Sequence, residues 1–257
     1  MSVLPKKLLA MAEQRPVSVY NEGGKSPFLL VADHAGNLIP RALGRLGIAE
    51  GDCQRHIAWD VGIASLCRLL ANALDATLIQ QNYSRLVIDC NRPLEATTSI
   101  VGISENIPIP GNAGLSDCAR QIRAHEIFRP YHDRIEVELD RRRQAGRTAA
   151  LISLHSFTPV FKGATRPWDA GLLYNRDARF AHRLMVLLNE ESDLFVGDNA
   201  PYIVSDASDY TIPFHAERRG LHHVLVEIRQ DLIADKSGQR AWAFRLARLL
   251  PRAYQEQ

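Results

Sequence analysis

What most limits the fold of this chain is an alternation of short apolar runs with amphipathic stretches. The runs are PVSVY (16–20), FLLVA (28–32), ATLIQQ (76–81), RLVID (85–89), AALISL (149–154), AGLLY (170–174), LFVGD (194–198) and HVLVEI (223–228). Each has the length of a strand. Most are apolar nearly throughout rather than at every second position, which implies burial on both faces of a sheet covered by helices. Residues 60–74 place Ile63, Leu66, Cys67 and Leu70 at helical spacing. Helical patterns also cover 116–144, 178–190 and 238–254, and Pro130 predicts a kink in the first of these. Strand alternating with helix specifies the α/β class, a three-layer sandwich with a mostly parallel mixed sheet covered by helices on both faces. With no internal repeat or low-complexity linker, 257 residues read as one domain over 1–257. Two segments, 91–115 and 156–169, lack a pattern, and unpatterned loops of that length in a compact domain are often functional.

Composition excludes some classes. A net charge of +2 offers no field of one sign for nucleic acid or an anionic membrane. Cys53, Cys67, Cys90 and Cys118 contain no Cys-x-x-Cys pair, which argues against a thiolate zinc site and fits reduced, mostly buried thiols. The segment MSVLPKKLLAMAEQ lacks a long apolar core, and no later run reaches the ~18 residues of a membrane span. These features lead to the expectation of a soluble cytoplasmic protein.

Three apolar runs end in residues that bind metals or move protons. FLLVAD leads to His34, AALISL to His155 and HVLV to Glu227. In open α/β sheets the ligand crevice lies outside the carboxyl ends of the strands. If these strands are parallel neighbours, two imidazoles and a carboxylate converge there. Histidines with carboxylates are the ligand types of hydrolytic zinc, and such zinc uses three protein ligands. Asp60, in "RHIAWDVG", is the candidate third ligand. It falls just before or within the first turn of a helix, so a helix N-cap is its bland alternative. One histidine at a strand end is more often structural; two of them with a strand-terminal glutamate shift the balance toward a metal. His56 would reach a metal if the helix started early. His222 and His223 should lie at the far end of the Glu227 strand, and His125, His132 and His182 on helix surfaces.

A second concentration is "NYSRLVIDCNRP" (82–93), where Arg85, Asp89, Asn91 and Arg92 bracket an apolar core. A guanidinium held by a carboxylate is pre-oriented to fork a substrate carboxylate, which would suit a small acidic substrate. A structural Arg–Asp pair is the alternative. Arg229, two residues after Glu227, shares its strand face and is a further candidate for substrate binding or for stabilising an oxyanion.

With "VADHAGNLIP", "AWDVG", "SRLVIDCNRP", "SLHSFTP" and "VEIRQD" in this order, the chain resembles the N-formylglutamate amidohydrolase family over about 28–231. The resemblance implies a zinc exopeptidase-like α/β fold and release of formate from N-formyl-L-glutamate in histidine breakdown. It implies zinc on His34 and His155, Glu227 as general base, and Arg85 and Arg92 near the substrate. Related zinc hydrolases commonly carry a glutamate three residues after the first histidine. Here that position is Asn37, so Asp60 must serve. The expectation is therefore a zinc-dependent amidohydrolase of an N-formyl or other N-acyl amino acid. Two alternatives stay open: a zinc amidase of a peptide or cell-wall amide, and a non-catalytic binding protein with a degenerate metal site.

Overall fold

The computed structural model describes residues 7–191 and 193–255. In chain order the strands are β1 (Val17–Tyr20), β2 (Phe28–Ala32), β3 (Thr77–Gln81), β4 (Ile103–Ser104), β5 (Ile107–Pro108), β6 (Ala150–Phe157), β7 (Val160–Phe161), β8 (Ala164–Thr165), β9 (Ala170–Leu173), β10 (Val196–Asp198) and β11 (His222–Arg229). The principal helices are α1 (Ile63–Leu74), α2 (Asp117–Arg123), α3 (Arg129–Gln144), α4 (Arg179–Asn189) and α5 (Lys236–Gln255). Seven strands form one sheet in the order β1-β3-β2-β6-β11-β9-β10. Its centre, β3-β2-β6-β11, is parallel, while β1 and the β9–β10 pair run against their neighbours. Among the described residues no helix is long and apolar enough to cross a membrane.

The continuous apolarity of the central strands has the anticipated cause. Leu30, Ile152 and Val226 face one core, built with α1, α4 and α5. Leu29, Leu151 and Leu225 face the other, built with α3 and the segments around residues 83–90 and 109. Helices cover both faces, so the three-layer α/β expectation holds. β3 lies on one side of β2 and β6 on the other. The chain therefore changes direction between β2 and β6, and the carboxyl ends of those strands open a crevice at such a switch point.

Two expected elements differ. Residues 85–87 form a turn and 88–89 no regular element, so the run is not a strand. Ser84 Oγ accepts from Leu86 N–H, the Ser84 carbonyl accepts from Val87 N–H, and Leu86, Val87 and Ile88 are buried by packing and not by a ladder. A short apolar run cannot report which of these it is, and serine turn chemistry decides. The helix expected over 116–144 is interrupted by a wider, π-type turn at Ala124–Phe128. It falls immediately before Pro130, whose ring crowds the preceding turn and whose nitrogen cannot donate. His132 is also not on the surface. It is buried, whereas His125 and His182 are exposed as anticipated. Cys53, Cys67 and Cys90 are buried free thiols, and Cys118 is exposed.

Candidate metal centre and its pocket

His34 lies two residues past β2 and His155 lies within β6, where it is the register partner of Glu227 on β11. His155 and Glu227 sit on the α3 side of the sheet with Leu151 and Leu225, since strand residues two apart share a face, and His34 reaches them from beyond the end of β2. Asp60 arrives from the other direction. Its backbone N–H donates to the His34 carbonyl at 2.9 Å, and Gly62, the residue capping α1, has φ +84°. A side chain at Gly62 would collide with the Ile233 carbonyl at 2.2 Å, so the tight entry into α1 that aims Asp60 at the crevice requires glycine. Gly62 caps α1 with no side-chain bond and Asp60 precedes the helix, so the N-cap alternative for Asp60 does not apply.

The donor atoms form a small triangle. His34 Nδ1 and His155 Nδ1 are 3.1 Å apart, His155 Nδ1 is 2.9 Å from Asp60 Oδ2, and His34 Nδ1 is 3.6 Å from the same oxygen. Each imidazole gives its other nitrogen to a carboxylate. His34 Nε2–H donates to Asp89 Oδ1 at 2.7 Å and His155 Nε2–H to Asp33 Oδ2 at 2.9 Å. With the protons there, the neutral rings turn two lone pairs and a carboxylate oxygen toward one another. Such an arrangement is repulsive without a proton or cation between them. Tetrahedral zinc with bonds of about 2.0–2.1 Å has ligand–ligand edges of about 3.3 Å, which these separations bracket. The donor set, its geometry and the carboxylates behind both imidazoles therefore fit a divalent metal.

The electrostatics agree. Burial and Arg85 oppose a charge on His34, yet Asp89 and Asp60 hold its pKa above the usual histidine range. Burial opposes charge on His155 too, and Asp33 and Asp60 outweigh it. The centre thus attracts positive charge. Glu227 behaves oppositely. Burial is the main cause that pushes its carboxyl up to about 7, against the pull of His155. Its Oε2 has no hydrogen-bond partner among the described residues, and neither Arg229, which pairs with Asp169 and Asp231, nor Arg218, which lies over the Phe214 ring, forms an ion pair with it.

These groups open into a cavity of ≈ 390 Å³ lined by His34, Asp60, Arg85, His155, Tyr202 and Glu227 among others. Both patternless segments contribute to it, 91–115 through Asn91, Arg92, Val101 and Glu105, and 156–169 through Ser156 and Phe161. Arg85 lines the cavity with its fork engaged, Nη2 on Asp89 at 2.9 Å and Nη1 on Asp60 at 3.5 Å. Arg92 also lines it, donating to the Ser208 carbonyl and lying 3.8 Å from Asp89. Asn91 is committed internally: its Nδ2 donates to Asp209, and its Oδ1 accepts from the backbone of Tyr210 and Thr211. Arg229 is not brought to the pocket, because Asp231 at 2.8 Å and Asp169 at 3.0 Å hold its guanidinium. Nor is His56 a ligand; it pairs with Glu105 at 3.0 Å. Asn37 turns away to Cys53 and Gln54.

Sequence reasoning missed several participants. Ser153 and Asp33 could have been found, because Ser153 shares a strand face with His155 and Asp33 adjoins His34; they hydrogen-bond each other and His155. Thr211, which donates to Asp33 Oδ1 at 2.6 Å across 178 positions, carries no local signal. Tyr202 likewise reaches the cavity only through the tertiary fold.

Comparison with known proteins places this geometry in a family. The family model described as N-formylglutamate amidohydrolase matches residues 26–234. An N-formylglutamate deformylase of Pseudomonas putida is 32% identical over 144 residues, 52% of each chain. The chain thus spans about half the length of this curated relative. The crystal structure of gene product Atu2144 from Agrobacterium tumefaciens is 38% identical, with TM-score 0.94 over 97% of this chain and 99% of that one. An N-formylglutamate amidohydrolase from Ralstonia eutropha shares the fold at 17% identity, with TM-score 0.64 over 94% and 98%. Matched over most of its length, this chain belongs to the N-formylglutamate amidohydrolase family.

Proposed function

We propose that the chain is a zinc-dependent amidohydrolase that removes the acyl group of an N-formyl or closely related N-acyl amino acid, N-formylglutamate being the first candidate. The observation that supports this most is the inward-facing triangle of His34, Asp60 and His155 beside an unpartnered, buried Glu227. A zinc ion held by the three would polarise the scissile carbonyl and acidify a water.

The protein's own groups do the rest in this reading. Glu227 takes the proton of the attacking water and delivers it to the leaving nitrogen; a carboxyl raised to about 7 by burial is suited to both tasks. Asp33 and Asp89 hold the imidazoles in the tautomer that leaves Nδ1 free. Arg92 is the clamp for the amino acid carboxylate, with Arg85 beside it neutralising Asp60 and Asp89. Asn91 orders the 209–211 segment that borders the site.

The test is elemental analysis of the purified protein with assays of formate release over a panel of N-formyl amino acids. About one zinc per chain and turnover that is lost in Glu227→Gln are expected. The variant should keep its metal while kcat falls roughly 10²-fold or more. A zinc-loaded Glu227→Gln protein with parental kcat would end the mechanism. Release of free amines from a peptide or cell-wall amide without formate release would move the assignment to that substrate class.

A further inference from the structure

Arg166 follows β8 and is buried, yet among the described residues no carboxylate lies within ion-pair distance of it. Its guanidinium is stacked over the rings of Phe161 at 4.5 Å and Tyr202 at 4.7 Å, and its Nη1 donates to Tyr202 Oη at 2.8 Å. A guanidinium has donors only, so the phenol oxygen must accept this bond. The phenol proton is therefore directed elsewhere, and no other partner for the Tyr202 hydroxyl occurs among the described residues. Tyr202 lines the cavity that holds the metal centre.

The chain path brings the segment that carries Tyr202 against the strand next to Glu227. Gly171 on β9 is the register partner of Glu227. A side chain at Gly171 would meet the Ala200 carbonyl at 1.7 Å, so the 199–203 segment packs directly onto the strand beside Glu227. Tyr202 follows two residues later. Tyr202 is 41% exposed, yet partial burial raises its phenol pKa, and the negative Glu227 adds to this while Arg166 and Arg85 oppose it, so the group remains a protonated donor at neutral pH.

We propose that Tyr202 touches the substrate, donating its hydroxyl to the acyl oxygen as that oxygen gains negative charge, and that Arg166 is the positioning residue that orients and polarises it. This rests on the amidohydrolase reading above. No covalent bond changes at Tyr202, and its proton stays on the phenol. Donors of this kind act mainly in the transition state.

Tyr202→Phe keeps the ring and its stack on Arg166 and removes only the donor. The expected result is a fall in kcat of about 10- to 100-fold with KM changed less than about threefold and metal content unchanged. Arg166→Met should lose about tenfold alone and add almost nothing to Tyr202→Phe, because it acts through the same hydroxyl. A binding readout runs in parallel with an N-phosphoryl amino acid, whose tetrahedral phosphorus carries anionic oxygens in place of the acyl carbon. Calorimetry should show about tenfold weaker binding of this probe to Tyr202→Phe, with affinity for the free amino acid unaltered. Parental kcat and probe affinity in Tyr202→Phe, in a preparation whose parent releases formate, would overturn the proposal and leave the amidohydrolase reading standing. A rise in KM alone would also overturn it, assigning Tyr202 to the carboxylate. A parent that neither turns over the panel nor binds the probe would overturn the amidohydrolase reading, and this proposal with it.

Discussion

Asp33 and Asp89 give the two site histidines most of their definition. Each accepts a ring N–H, and Asp33 is itself fixed by Thr211 and Ser153. Burial raises the Asp33 carboxyl, but the His155 and Thr211 bonds more than compensate and hold it well below the usual range. Asp33→Asn should thus leave the fold intact and lower zinc affinity by about 10- to 100-fold, the scale of losing a carboxylate behind a metal-bound imidazole. Competition with a chromophoric chelator measures this, and parental affinity would mean the imidazole is oriented by the strand alone. His34, His155 and Glu227 were legible as candidates because each stands at the polar end of an apolar run, and Asp60 because it comes just before a helical pattern. The roles of the two supporting carboxylates were not readable: Asp33 adjoins His34 but holds His155, and Asp89, expected only to orient arginines, holds His34. Arg229 misled for a related reason: sharing a strand face with Glu227 fixes direction, but Asp169 and Asp231 decide where a long side chain ends.

Helix α3 is tied to the sheet by a buried arginine that is itself ion-paired within the helix. Arg142 donates to Glu138 at 2.8 Å, and its Nη1 donates to the carbonyls of Ser26, Pro27 and Phe28 at the entry to β2. Glu138 and Arg142 are both fully buried, so Arg142→Leu should cost about 3 kcal/mol, the scale of breaking a buried pair. Urea unfolding reads the loss, and a change under about 1 kcal/mol would show that Arg134 and Arg141 suffice for Glu138. Gly171→Ala tests a different element contact. Its new methyl would force the 199–203 segment off β9, so both thermal stability and kcat should fall, with metal content retained. A variant with parental values would show that this segment moves without consequence. Element identity was readable wherever a run was long or periodic, as in α1, β6 and β11. It failed at 85–89, where three buried apolar residues serve a turn, and at 124–128, where a proline widens a helix instead of simply bending it. The short hairpins β4–β5 and β7–β8, in segments with no pattern, were not legible at all, because strands of two residues carry no periodicity.

The molecule as a whole carries a built-in sensitivity to acid through a buried histidine pair in the core beneath α3. His132 Nε2–H donates to the Cys90 carbonyl at 2.8 Å, which leaves its Nδ1 to accept from His215 Nε2–H, also at 2.8 Å. The rings stack with centroids 5.1 Å apart. In this arrangement both rings are neutral, and it is burial that opposes a second proton on either. Burial drives His132 down to about 4 and His215 well below its ordinary value. The unfolded chain, with histidines near 6.5, binds protons that the folded chain refuses once the pH drops below that value. Stability from this source is therefore complete above about pH 6.5 and is lost as pH falls toward about 4. For His132 alone the loss is on the order of 3 kcal/mol, an appreciable share of a domain's net stability. His132→Gln retains a donor for the Cys90 carbonyl and cannot titrate. Its free energy of unfolding should be lower than the parent's at pH 7.5, where packing around the imidazole is lost, and should decline less steeply between pH 6.5 and 4.5. Urea denaturation at several pH values gives both slopes. Parallel pH profiles for parent and variant would place the acid sensitivity elsewhere in the molecule and deny this pair its role.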